Sequence, residues 1–216
     1  RLGPRRLVPG PPAPGPDVFD LTLAFDNGPE PEVTPKVLDI LADRGIVATF
    51  FVMGRKLQTP DGLCIARDAW SAGHWIGNHT WSHGRPLGER PGRAVAEAEI
   101  GRTQATIGAL AHPDRLFRPN AGGEVGPRLL SREAADYLCE GGYTCVLWNA
   151  VCHDWDEPEG WMERALALLG ARPWTSLVLH DLPTGSMDRL GEFLDEAAAR
   201  GARFRQDFPP ETVPIL

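Results

Sequence analysis

Residues 18–52 read VFDLTLAFDNGPEPEVTPKVLDILADRGIVATFFV. Val18–Phe25 reads as a strand that runs into the turn Asp26-Asn27-Gly28-Pro29. A helix follows, with Thr34 as its cap, Pro35 at the first helical position, an apolar face of Val37, Leu38 and Leu41, and Gly45 as its stop. Ile46–Val52 is β-branched and aromatic, the composition of a buried strand. Strand, turn, helix and strand in this order make one unit of a parallel sheet with a helical crossover.

The unit recurs along the chain without an internal sequence repeat. Asp61–Ala72 reads as a helix and His74–Asn78 as a short strand. In Gly92–Leu110, residues Ala96, Ile100, Thr103, Ile107 and Leu110 are spaced alternately by four and three, which is one face of a single helix. Arg115–Phe117, Tyr143–Trp148 and Leu177–Leu179 read as strands; Ser131–Glu140, Pro158–Leu169 and Met187–Arg200 read as helices, and Phe204 opens a last strand. The fold class expected is α/β, an irregular (β/α)7-type barrel. Asp26, His79, Arg118, Asp154 and His180 all fall just past the C-terminal ends of expected strands, the rim where a β/α barrel carries its chemistry.

Composition narrows the function. The 216 residues suit one sizeable domain, and 29 acidic against 22 basic residues give a formal charge of −7. Such a balance argues against a nucleic-acid partner, whose affinity comes from Lys and Arg on phosphates. No apolar run approaches the roughly 20 residues that span a bilayer. PGPPAPGP at 9–16 favours an extended polyproline conformation, so 1–16 is expected to be a tail or linker and 17–216 the domain. The chain starts at Arg1 with no apolar signal segment evident, which leaves localisation open. Cys64, Cys139, Cys145 and Cys152 match neither a zinc knuckle nor a C-x-x-C pair. Buried thiols are the expectation, with a Cys139–Cys145 bridge as the alternative.

Two groups of residues carry chemistry. His79 and His83 in HTWSH are four apart, so their imidazoles can face one cation from the same side of a helical turn, but a metal site needs a third protein ligand. LAFDNGPEP places Asp26 and Asn27 side by side at a strand end; taken alone these are ordinary turn residues.

With three further stretches the pattern becomes specific. LAFDNGP resembles the T-F-D-D-G-P motif of the polysaccharide deacetylase family (the NodB homology domain, carbohydrate esterase family 4). HTWSH resembles its H-[ST]-x-x-H, FRPNAG its F-R-P-P-Y-G, HDWDEP its D-x-x-D-W and LVLH its L-x-L-H, all in family order across residues 22–181. The resemblance implies that Asp26 is the general base, held as a carboxylate by Arg118. Asn27, His79 and His83 would hold a divalent metal, zinc first and cobalt, nickel or manganese after it. His180 would be the general acid, kept protonated by Asp154. The backbone N–H of Asn120 would steady the oxyanion, and Trp155 and Leu179 would wall a slot for the acetyl methyl group. His74, His112 and His153 are expected to be bystanders. Family members are often secreted or membrane-anchored.

This sequence departs from the family at three places. The metal-binding Asp is Asn27, which keeps an oxygen but brings no charge, so metal should be held weakly. Asn120-Ala121-Gly122 stands where the family has Pro-Tyr-Gly, and Val151 where it has the first Asp of D-x-x-D-W. The function implied is hydrolysis of an N-acyl, and first of all an N-acetyl, group on an amino sugar or a related small N-acyl compound. The alternatives are a metal-independent amide or imide hydrolase of the same fold and a carbohydrate-binding descendant without activity.

Overall fold

A computed structural model describes residues 18–215 of the chain; the expected tail 1–16 and the domain boundary at residue 17 lie outside the described residues. The first strand, β1 (Phe19–Asp26), is buried at every position. Its side chains pack on both faces of the sheet, and its backbone is covered because both its edges are paired. β7 (Trp174–His180) runs along one edge, while β2 (Thr49–Val52) and β8 (Ala202–Arg205) share the other. With β3 (Trp75–Asn78), β4 (Leu116–Phe117), β5 (Thr144–Cys145) and β6 (Ala150–Val151) the order is β5-β4-β3-β2-β1-β7-β6, and every pairing is parallel. The sheet curls into a half-barrel whose two ends, β5 and β6, are bridged by residues 146–149 instead of a ladder. There Leu147 N–H donates to the Thr212 carbonyl (2.7 Å) and Asn149 N–H to that of Ser176 (3.2 Å).

Among the described residues seven α-helical segments surround it: α1 (Thr34–Ala42), α2 (Pro60–Ser71), α3 (Arg93–Ala96), α4 (Arg102–Ile107), α5 (Arg132–Glu140), α6 (Trp161–Leu168) and α7 (Leu190–Ala199). Side chains alternate along a strand. Leu21, Leu23 and Phe25 of β1 and Leu177 and Leu179 of β7 therefore point outward, into the main core with Val37, Leu41, Trp161 and Phe193. Asp26 and His180 are left facing the barrel interior.

Some expectations need correcting. Thr34 is the first helical residue and not the cap; its hydroxyl donates to Asp181 and accepts from Glu30 N–H. The strand expected over 143–148 stops at Cys145, because the carbonyls of Val146 and Leu147 turn to the Arg118 guanidinium. The helix expected over 92–110 keeps its buried face (Ala96, Ile100, Thr103 and Ile107) but is interrupted by a π-helical turn at Glu97–Gly101. Cys145 is a buried thiol, which removes the bridge to Cys139; Cys152 is buried too, whereas Cys64 and Cys139 are exposed.

Candidate active site

Asp26 and His180 sit opposite each other in the register of β1 and β7, so both side chains enter the same cavity from paired strand ends. Arg118, just past β4, is fully buried and donates from Nη1 to Asp26 Oδ1 at 2.8 Å. Its Nε and Nη2 bond the carbonyls of Val146 and Leu147, at 3.1 Å each, and its Cζ lies 4.1 Å from the Phe51 ring centroid. These contacts fix the guanidinium. Burial alone would raise the Asp26 carboxyl, but the charge of the Arg118 guanidinium, together with its hydrogen bond, outweighs it and holds the group below the usual carboxylate range. His180 experiences the reverse contest. Burial disfavours its cation, yet the hydrogen bond and charge of Asp154 raise it above an ordinary imidazole. Asp154, fully buried past β6, accepts from His180 N–H at 2.7 Å and stands 3.0 Å from His180 Nδ1.

On the other wall, His79 Nδ1 is 2.8 Å from the Arg118 carbonyl, which can only accept, so Nδ1 carries the proton and Nε2 has a free lone pair. Nε2 stands 3.6 Å from Asp26 Oδ2, and burial pushes the His79 pKa down to about 4, so the ring is neutral. The His83 ring centroid is 4.9 Å from that of His79. They are not on a helical turn: Thr80 (φ 66°) and His83 (φ 51°) bend the loop in the left-handed region. Glu99 holds this loop. From the π-turn, its carboxylate accepts from the Trp81 and Ser82 amides and the Ser82 hydroxyl (2.8–3.1 Å), with Arg90 as counter-ion at 3.0 Å. The sequence pattern gave no sign of this role, since helical spacing carries no mark of a π-turn.

Asn27 lines the same cavity as both histidines, with φ at 76°. Its Oδ1 is buried and has no hydrogen-bond partner among the described residues. An orphaned acceptor lining one cavity with two imidazoles is a ligand set suited to a cation. Among the described residues no three of His, Cys, Asp and Glu form such a group, so the third ligand atom would be this amide oxygen.

The cavity holds about 510 Å³, and Trp148, Val151, Trp155, Val178 and Ala121–Gly123 wall it between the polar groups. Trp155 packs on His180, ring centroids 4.6 Å apart. With a carboxylate, a paired imidazole, a buried arginine and an orphaned amide oxygen around one cavity, the comparison with known proteins becomes informative. The sequence profile described as "Polysaccharide deacetylase" matches residues 15–145. The chain belongs to the polysaccharide deacetylase family. It is 28 % identical over 190 residues to a peptidoglycan-N-acetylglucosamine deacetylase of Bacillus cereus, covering 86 % of this chain and 66 % of that one. It is 31 % identical to a chitooligosaccharide deacetylase of Sinorhizobium fredii, covering 82 % and 77 %. A family 4 carbohydrate esterase from Streptomyces lividans, solved in complex with acetate, superposes with a TM-score of 0.73 at 26 % identity, over 91 % of this chain and 97 % of that one. The chain thus spans just under two thirds of the Bacillus cereus relative's length.

Within this deacetylase-family site two positions differ from expectation. Leu179 belongs to the outer core, and its neighbour Val178 lines the cavity instead. The strand's two-residue period, counted back from His180, identifies Val178 from sequence. The side-chain amide of Asn120 donates to the Gly84 carbonyl (2.5 Å), and this loop reaches the cavity through Ala121, with φ at 73°, Gly122 and Gly123. His153, expected to be a bystander, also lines it.

Proposed function

We propose that the chain is a hydrolase that removes the N-acetyl group from an amino sugar. The observation that carries this reading is the in-register pair of Asp26, held by Arg118, and His180, held by Asp154, on either side of one cavity. Arg118 occupies Asp26 Oδ1, so Oδ2 is the oxygen that accepts the proton of the attacking water. The water oxygen bonds to the acyl carbon as the carbon–nitrogen bond breaks. Because Asp154 takes His180 Nδ1–H, Nε2–H is the proton delivered to the departing amine, and acetate and free amine leave. Trp155 and Val178 exclude water from the acyl methyl group. Asn27, His79 and His83 would hold a divalent cation, which when bound supplies Lewis-acid polarisation of the acyl oxygen and a more acidic water.

Asn27 supports a second reading, in which a member of this fold hydrolyses amides without metal, since its neutral oxygen binds a cation less strongly than a carboxylate. Acetate release from N-acetylglucosamine and its oligomers, measured with and without chelator, tests both. Release that chelator abolishes and zinc restores supports the first reading; release indifferent to chelator supports the second. No acetate from any substrate overturns both.

A further inference from the structure

Asp181, which follows His180 at the end of β7, is fully buried and has no part in the proposed chemistry. Its Oδ2 accepts from the Thr34 hydroxyl at the start of α1, and the Thr34 oxygen accepts in turn from Glu30 N–H at 2.7 Å. Its Oδ1 has no hydrogen-bond partner among the described residues. Lys56, whose charge reaches it, is bonded to Glu30 at 2.6 Å. Burial outweighs these partners and pushes the carboxyl up to about 7. A carboxyl group so placed works against the fold, because its desolvation is offset at one oxygen only. Its contacts point to a task in the site. A Cβ built on Gly28 would overlap both oxygens of Asp181, so the carboxyl group lies against the turn that carries Asp26 and Asn27. Gly28 is not in the left-handed region, so this close approach, and not the backbone, is what requires glycine there. The Gly28 carbonyl is tied by Met53 N–H at 3.0 Å. Arg118 holds Asp26, whereas nothing among the described residues bonds Asn27 Oδ1, so the backbone of this turn is what directs Asn27.

We propose that Asp181 is a positioning residue: its carboxyl group, set between Gly28 and Thr34, fixes the turn that aims Asp26 and Asn27 into the cavity. One chain segment, His180-Asp181, then carries one side of the reacting pair and holds the other in place. The effect on rate rests on the deacetylase reading above. Asp181→Ala should lower kcat for acetate release from N-acetylchitotriose about 10- to 100-fold with KM within about twofold, since a small misplacement of reacting groups costs rate and leaves binding intact. Asp181→Asn, which keeps the shape and an oxygen for Thr34, should restore most of that rate. Thr34→Val removes the hydroxyl at constant shape and should show the same selective fall, smaller in size. Gly28→Ala should also lower kcat by forcing turn and carboxyl apart, but added to Asp181→Ala it should cost little more, because the space is then free. Amide hydrogen exchange at Met53 and Glu30 reads the turn without turnover: both should exchange faster in Asp181→Ala and return toward wild type in Asp181→Asn. If the wild type releases no acetate, the deacetylase reading fails, and exchange at these two amides alone decides whether Asp181 sets the turn. Unchanged exchange at both amides in Asp181→Ala, lower stability with kcat intact, or effects of Gly28→Ala and Asp181→Ala that multiply independently would overturn the proposal.

Discussion

Arg118→Met is the perturbation that tests the centre of the site. The substitution keeps an unbranched apolar stem in a fully buried position and removes three charge-assisted hydrogen bonds, to Asp26 Oδ1, Val146 and Leu147. Breaking a buried pair by removing one partner costs about 3–5 kcal/mol, because the remaining charge stays buried without compensation. That is a large share of the roughly 5–15 kcal/mol that holds a domain together. The loss should depend on pH. In the wild type Asp26 is depressed, so its contribution is present above the ordinary carboxylate range and lost as pH falls through its lower folded value. Without Arg118, burial dominates and raises the Asp26 carboxyl, so acidification relieves the variant. Urea unfolding at pH 7 and at about pH 4.5 should therefore show the stability gap narrowing at the lower pH. Adding Asp26→Asn to the variant should recover part of the loss, with a coupling of about 1–3 kcal/mol. A loss below about 1 kcal/mol, or a gap that widens on acidification, would refute the reasoning.

Asp26→Asn alone should lower the rate of acetate release by roughly 10²–10⁴-fold, and normal turnover would remove Asp26 as the base. Asp154→Asn should move the alkaline limb of the pH–rate profile to lower pH, since the group that raises His180 loses its charge; an unmoved limb would break that pairing. Asn27→Asp should tighten Zn²⁺ binding in calorimetric titration, because a charge is added at constant side-chain size, and equal affinities would mean that residue 27 does not face the cation. In a metal-free reaction the same change harms the base through like-charge repulsion with Asp26. Glu99→Ala should free the loop from 79 to 83, visible as faster amide hydrogen exchange at Trp81 and Ser82, whereas unchanged exchange would show that the loop holds itself.

The alternation of strand and helix was legible from residues 18–52 outward because apolar period and turn residues are local properties. The clustering of Asp26, His79, Arg118, Asp154 and His180 on one rim was legible too, since strand direction in a parallel sheet sends every strand's end to the same side. What was illegible depends on contacts distant in sequence. Glu99 reaches Ser82 only because a π-turn re-aims it, and Thr34 leaves its capping role only because Asp181 lies within reach. The left-handed turn at Ala121, where the loop meets the cavity, is a positive φ that an alanine does not announce. Leu179 is a different failure. The two-residue period was available, and applying it from His180 assigns the cavity wall to Val178.

The pairing of Asp26 with His180 across β1 and β7 has a consequence for how the site can diversify. Neighbouring strands lie about 4.8 Å apart by the geometry of their backbone ladder, whatever loops follow them. The separation of the Asp26 and His180 backbones is thus an architectural constant, insensitive to insertions at the rim. Loops such as 120–123 and 152–160 can lengthen, shrink or change chemistry and alter which molecules enter. A deletion of one residue within β7 is different in kind: it would rotate His180 into the oily layer beneath the helices and leave Asp26 without its counterpart.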